Sequence, residues 1–385
     1  MTRYRDGRLT VLATAMLTNP AGVLGAITPA IVTCLTLEAH LPLTTAARLV
    51  AVEFTAMTVA MMLVSPMAGR VGDRVLAALA ISVTVAAQLC SLAGDVLLVS
   101  VARGCLGFGE GLLYGLAIAA LARMPLPERA FGIVVLSNQT VGALLLTLAT
   151  LAHLRFPSFG IFALLIAFLL FTALCVPALP VTGAARGSSA RVDIRHLLVV
   201  APGIIGILLF AAGFGAVWPM IAPIARARGL DDGAIGHLLS LAGIMGIAGA
   251  ACAILLATRF GRVLPLTCGS LGLGFAVIGS VCGPLWLAVP AILLFWSFLV
   301  PYYLGSAAAA DREGGFVALA GSMLPLGIAA GQMVSSYILG GRTFLLLGTI
   351  AGAMVGFAVL CMMLLRRQVE RSSCCRTGLA NRTPP

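Results

Sequence analysis

The sequence contains no lysine, only four histidines and few charges of any kind: Asp, Glu, Lys and Arg make up 10% of its 385 residues. Soluble domains carry roughly 25%. Apolar residues reach 61% and the mean hydropathy is +1.10. A water-soluble fold of this length cannot hide so much apolar surface, so lipid must be the solvent for much of the chain. The scarcity of His and carboxylates speaks against an embedded enzyme, which needs a metal cluster or a nucleophile beside a base. No apolar run offers either, so no catalytic residue, metal or cofactor is expected. The ten cysteines are scattered with no C-x-x-C spacing and read as small apolar fillers. Cys374-Cys375, near the end of the chain, reads as an incidental pair rather than a lipidation site. No basic patch lies beside stacking aromatics, so the net charge of +11 does not point to nucleic acid. A sensor would need a signalling domain, and no polar segment is long enough to supply one.

What is present is a series of apolar runs. Roughly twelve spans of about 17–28 residues can cross a bilayer. They lie near 11–35, 49–67, 75–94, 96–121, 130–152, 160–180, 197–224, 236–257, 263–281, 285–306, 316–338 and 343–364. They read as helices, because an open strand leaves its backbone unsatisfied in lipid and a β-barrel would alternate apolar with polar. Arg3, Arg5 and Arg8 precede a first run too long for a signal peptide and interrupted by Asn19-Pro20, so it reads as the first span.

Arginine placement predicts orientation. One set of loops and both tails carry most of the 24 arginines, whereas the alternate loops hold only Arg48, Arg155, Arg226, Arg228 and Arg342. The positive-inside rule then puts both termini in the cytoplasm. A multi-pass protein of the plasma membrane, the inner membrane of a bacterium, is expected.

The chain rhymes with itself. Arg70-Val71-Gly72 matches Arg259-Phe260-Gly261, and Gly25–Pro29 (GAITP) matches Gly215–Pro219 (GAVWP), both at about half the chain length. Ser137 and Gly142 match Ser322 and Gly327 at a slightly smaller offset. Parallel repeats of this kind mark a large class of secondary transporters. The expected fold is all-α and integral to the membrane, with about twelve spans in two pseudo-symmetric six-helix bundles. The expected division is 1–180, a cytoplasmic linker at 181–196 that is Gly/Ser-bearing and Arg-containing, and 197–385 with a short cytoplasmic tail.

With these features the chain resembles the major facilitator superfamily over nearly its whole length. The family's loop between the second and third helices reads roughly G-x-L-a-D-R-x-G-r-k. Met67, Ala68, Arg70, Gly72 and Arg74 fit it, while Ser65, Gly69 and Asp73 depart from it. The fourth span resembles the family's R-x-x-x-G-x-G through Arg103, Gly107 and Gly109, followed by Gly111. The resemblance implies alternating access, and a conformational latch at Arg70, Gly72, Asp73 and Arg74 that holds the halves together when open to the outside. Gly69 stands where the family's Asp completes that latch. An ordinary positive-inside turn is the plainer reading of the same residues.

Three ionisable residues fall well inside spans: Glu53, Arg103 and Glu110. Each should face a bundle interior or water. Arg103 and Glu110 share one face of a helix, about two turns apart, with Gly107 and Gly111 beside them. That face suits a watered path or a close helix approach. No histidine lies well within a span, and arginine stays protonated. Glu53 and Glu110 are therefore the proton-coupling candidates, Glu110 ahead because Arg103 shares its face. Burial favours the neutral form of a carboxylic acid in general. Structural acids held between helices are the alternative. Arg103 is also a candidate counter-charge for an anionic substrate, its fork suiting a carboxylate, or else a structural arginine bonded to carbonyls.

Uncharged polar residues complete the substrate-binding candidates: Asn19, Asn138, Gln139, Trp218 and Gln332, with Ser137, Thr140, Ser335, Ser336, Trp296, Tyr302 and Tyr303 nearby. Asn138 and Gln139 point about 100° apart, so one of the two is expected to face a cavity. Asp311 reads as part of a loop after the tenth span. The expected function is transport of a small organic solute, coupled to protons by symport. The fifth span lacks the Gly-Pro pair typical of the family's proton-antiport exporters, which favours uptake over efflux of drugs or metabolites. The expected partners are solute, protons and the lipid bilayer, and a monomer suffices.

Overall fold

The structure, a computed structural model, describes residues 8–37, 40–68, 71–91, 96–121, 127–156, 160–179, 194–256, 259–310, 315–339 and 343–380. Arg70, Asp311 and the linker residues 180–193 lie outside the described residues. Among those described, every regular element is helical. Eleven are long and apolar enough to cross a membrane, and the expected fifth span adds a shorter apolar stretch, Ile133–Ala149. The chain is a multi-pass membrane protein.

The first span is two helices, α1 (Arg8–Met16) and α2 (Asn19–Leu37). Pro20 has no N–H for the Met16 carbonyl and its ring collides with that turn, so α1 stops there. Then follow α3 (Leu43–Ala68), α4 (Asp73–Cys90), α5 (Val96–Leu121), α6 (Pro127–Arg155) and α7 (Gly160–Ala173). The second set is α8 (Ile194–Val217), a 3-10 turn at Trp218–Met220, α9 (Ile221–Ala227), α10 (Asp232–Leu256), α11 (Val263–Cys282), α12 (Leu285–Ala310), α13 (Gly315–Leu339) and α14 (Phe344–Ala380). Pro219 breaks the seventh span as Pro20 breaks the first. Ala216, just before that break, instead takes a hydrogen bond from the Ser335 hydroxyl of α13. The last helix outruns its expected span, the apolar part being Phe344–Gln368.

Burial runs opposite to that of a soluble protein. Leu97, Leu255, Phe275, Leu287 and Phe357 are exposed, whereas Glu53, Arg103, Glu110, Gln88 and Gln332 are buried. Polar groups turn inward because lipid cannot hydrogen-bond them. Within the first bundle, α5 lies against both α3 and α4. Its glycines set the spacing: Gly107 sits on the Glu53 carbonyl and Gly111 on the Met57 carbonyl, where a methyl would not fit. The face expected to hold water or a close helix approach makes the approach.

Gly72 is extended (φ −61, ψ 135) and caps α4, so it makes no use of glycine's left-handed freedom. Its repeat partner Gly261 does use it, with φ +68. Arg74 donates from Nε to the Leu179 carbonyl at 3.0 Å, holding the hairpin to the end of the sixth span within its own bundle.

The two bundles meet along α2, α3 and α6 on one side and the 3-10 turn, α9, α10 and α13 on the other. Among the described residues, three hydrogen bonds cross this seam. Arg48 Nε donates to Ser336 Oγ at 2.8 Å, Thr147 Oγ1 to Ser240 Oγ at 3.2 Å, and Trp218 Nε1 to the Ala26 carbonyl at 3.2 Å. The first two sit towards the end of the molecule where α3 and α10 begin and α6 and α13 end, and Trp218 is also in that half of its span.

Candidate functional site

The charged residues form one cluster inside the first bundle. Arg103 Nη1 lies 3.2 Å from Glu53 Oε2 and 3.5 Å from Oε1, and both side chains are 1% exposed. The Phe162 ring stands 5.6 Å from the guanidinium carbon, offering its negative face to the cation. Arg103 thus reaches across to α3, rather than along its own helix to Glu110. Gly107 explains the pairing: with no side chain in the way, α5 comes close enough for Arg103, one turn earlier, to meet Glu53.

Glu110 lies on the same side, buried, with Oε2 unpartnered. Gln88 of α4 is buried beside it with an unpartnered Nε2, as are Nε and Nη2 of Arg103. These four side chains border one cavity of about 20 Å³, with Pro20, Leu24 and Ile27 of α2 and Leu165 and Phe168 of α7. It is large enough for about one water molecule. All of its lining belongs to the first bundle. The sequence reading found three of the four polar members and missed Gln88; an amide inside an apolar run was the available signal.

The amide candidates divide between two places. Asn19 Nδ2 donates to Ser137 Oγ at 3.0 Å, and Thr18 Oγ1 donates to Asn138 Oδ1 at 3.0 Å, both within the first bundle at the α1–α2 break. Gln139 turns the other way, its Oε1 crowding the position a Cβ would take on Gly246 of α10. Of the adjacent pair, Gln139 is the one at the seam. In α13, Ile328 packs on Gly215 of α8 and touches Gly25 of α2, and Ser336 holds Arg48. Gln332 lies one turn from each along the same stripe. It is fully buried, with neither amide atom partnered.

Aromatic rings of α8, α12 and the 3-10 turn form a continuous ladder. Tyr303 stacks on Phe210 (4.2 Å between centroids), Phe210 on Trp296 (4.7 Å), Trp296 on Phe214 (4.0 Å) and Phe214 on Trp218 (5.8 Å). Tyr303 OH also meets Ser270 Oγ at 3.1 Å. Tyr302 stays outside the ladder, tilted against Phe298. Among the described residues no three His, Cys, Asp or Glu gather as metal ligands would.

No protein-family profile matches the sequence, and no curated protein is similar to it. Solved structures are similar in fold. A D-xylose-proton symporter superposes with a TM-score of 0.71 at 15% identity, over 92% of this chain and 96% of that one. A proton:xylose symporter of the major facilitator superfamily, bound to 6-bromo-6-deoxy-D-glucose, gives 0.66 at 15% identity over 92% and 94%. The human organic anion transporter MFSD10 gives 0.66 at 15% identity over 93% and 98%. The fold is that of the major facilitator superfamily.

Proposed function

We propose that the chain is a secondary transporter that carries a small organic solute into the cell by proton symport, its two bundles rocking in alternating access. The fold supports a transporter. Similar folds serve a proton-linked xylose carrier and an organic anion carrier, so the fold is neutral on the solute.

The observation that carries proton coupling is a charge count. Two carboxyls, Glu53 and Glu110, share a 20 Å³ cavity with one cation, Arg103. Arg103 is paired with Glu53. A second anion without a counter-ion is costly in a dry bundle, so the cluster is close to neutral only when one carboxyl holds a proton. Glu110 is our proton carrier, with Glu53–Arg103 as its fixed partner. Movement of α5 against α2 or α3 during rocking would open the cavity to water and exchange that proton. The arginine asymmetry of the loops supports cytoplasmic termini and the inner membrane of a bacterium. On that orientation the crossing hydrogen bonds lie on the outer side, and the structure is the state closed to the outside.

The test is uptake into proteoliposomes under an imposed pH gradient, screening radiolabelled sugars, nucleosides, amino acids and carboxylates. Wild type should accumulate a solute only with the gradient. Glu110→Gln should bind and equilibrate that solute without accumulating it. Gradient-driven accumulation that survives in both Glu110→Gln and Glu53→Gln would end the proposal.

A further inference from the structure

Helix register sets the polar lining of the first-bundle cavity. A Cβ on Gly109 of α5 would run into Thr84 Oγ1 and the Ala80 carbonyl of α4. Glu110 therefore stands level with the middle of α4. Gln88, one turn beyond Thr84, lies nearer the end where α4 stops at Cys90 and α5 starts at Val96. The same register brings Arg103 level with Gln88. Side chains on a helix lean toward its N-terminus. α4 and α5 are successive spans and run in opposite directions, so Gln88 and Glu110 lean toward each other. Both are buried, and both border the cavity with Arg103 and Glu53.

These side chains leave four buried atoms without a partner: Gln88 Nε2, Arg103 Nε and Nη2, and Glu110 Oε2. The three nitrogens can only donate. That set selects the occupant. A cation would meet three donors and the Arg103 charge. An anion would add a negative charge to a cluster that one proton already makes neutral, and burying it would carry that cost. An organic solute does not fit in about 20 Å³. A water molecule does: it needs about one probe sphere of room and about two to four polar partners. Its oxygen accepts two hydrogen bonds and its hydrogens donate two. Glu53, Arg103 and Glu110 are the titratable groups on the cavity; α2, α4 and α7 add none to its lining.

From this arrangement, and resting on the coupling reading above, we propose that one water molecule seats in the cavity and carries the proton to and from Glu110, with Gln88 as its positioning residue. Gln88 Nε2 donates to one lone pair of the water oxygen and fixes the water between itself and Glu110. The second lone pair takes the Glu110 proton when that carboxyl is protonated, and an Arg103 N–H when it is ionised. In the ionised state the water donates in return to Glu110 Oε2. Gln88 thus holds the water in both states, while Arg103 and Glu110 take turns. In release, the Glu110 O–H bond breaks and its proton bonds to the cavity water. One of that water's own O–H bonds breaks, and its proton passes to solvent water admitted when the helices part. Glu110 is left as a carboxylate and the cavity water keeps two protons. Loading runs the same steps in reverse.

Infrared difference spectra between acid and neutral buffer, taken on the full chain in a lipid film, test this with protons and water as the probes and need no solute. Wild type should show a carboxylic C=O band on acidification that Glu110→Gln removes. It should also show the O–H stretch of an internal water, which shifts in water enriched in the heavy oxygen isotope. Gln88→Met keeps the length of the side chain and removes its donor, so it should lose the water band and displace the Glu110 band. Gln88→Asn, which keeps an amide, should recover part of the water band. A wild type with no isotope-sensitive water band, or a water band unchanged in Gln88→Met, would overturn the proposal, and the wild-type spectrum decides even where a variant fails to fold. A Glu110 band that moves when chloride is exchanged for gluconate would put a halide in the cavity and overturn it too. A Glu110 band that appears at no pH would fail the coupling reading and this inference together. A Glu110 band that titrates without the water band would fail this inference alone.

Discussion

Trp218 and Ala26 stand 192 positions apart, yet the indole N–H of one donates to the carbonyl of the other at 3.2 Å. Both belong to copies of one pentapeptide, GAITP at Gly25–Pro29 and GAVWP at Gly215–Pro219. In each copy the proline loosens the helix, and in the second it opens a 3-10 turn that aims Trp218 at the other bundle. The repeat therefore does more than record duplication: its two copies meet at the seam and help close one end of the molecule.

Trp218→Phe keeps a ring on Phe214 while removing the N–H donor together with the outer part of the indole. Closure should weaken, and the molecule should open more often at that end. A cysteine placed at buried Ala222 in α9 should react with a membrane-impermeant maleimide several-fold faster in this background than with Trp218 present. Equal rates would show that the bond has no part in closure.

Arg103→Met should destabilise the protein strongly, since it leaves Glu53 buried without its cation. Breaking such a pair from one side costs about 3–5 kcal/mol, whereas replacing both partners by apolar groups is often neutral. The double change Glu53→Leu with Arg103→Met should therefore regain most of the lost unfolding temperature. Additive losses in the two single variants and the double variant would mean that the pair is not coupled.

How much of this was legible in the sequence differs from residue to residue. The helices were, because lipid permits little else for a chain of such composition. So was the break at Asn19-Pro20, a local consequence of one missing N–H. The partner of Arg103 was not. Helical phase places Glu110 on its face, but Glu53, fifty positions earlier, is brought in by the packing of α5 on α3. The glycines that allow that packing were visible in the sequence; the carbonyl they would rest on was not. Asn138 and Gln139 were separable by phase, but which of them faces the seam depended on how α6 sits between α2 and α10.

Gly107→Ala tests that packing directly. Its new methyl would run into the Glu53 backbone carbonyl, forcing α5 away from α3 and Arg103 away from Glu53. Gly104→Ala, one turn earlier, meets only a Val52 methyl at 3.7 Å, an ordinary contact. Gly104→Ala should be neutral or stabilising by up to about 1 kcal/mol through helix propensity. Gly107→Ala should lower the thermal midpoint by several degrees and reduce uptake together with it. Equal midpoints for the two variants would contradict the close approach.

Thr147 and Ser240 offer a way to lock the seam. Their hydroxyl oxygens are 3.2 Å apart across α6 and α10, which brings their Cβ atoms near the separation a disulfide spans. Gly243 and Ala143, one turn on, keep the backbones close enough for the bond to form without strain. Thr147→Cys with Ser240→Cys, in a background cleared of other cysteines, should oxidise readily and hold this end shut. If alternation requires the two bundles to part here, oxidation should abolish transport and a reductant should restore it, while either single cysteine leaves transport unaffected by oxidant. A quantitatively cross-linked protein that still transports at the reduced rate would show that the bundles never separate along this line, and rocking about the seam would have to be abandoned.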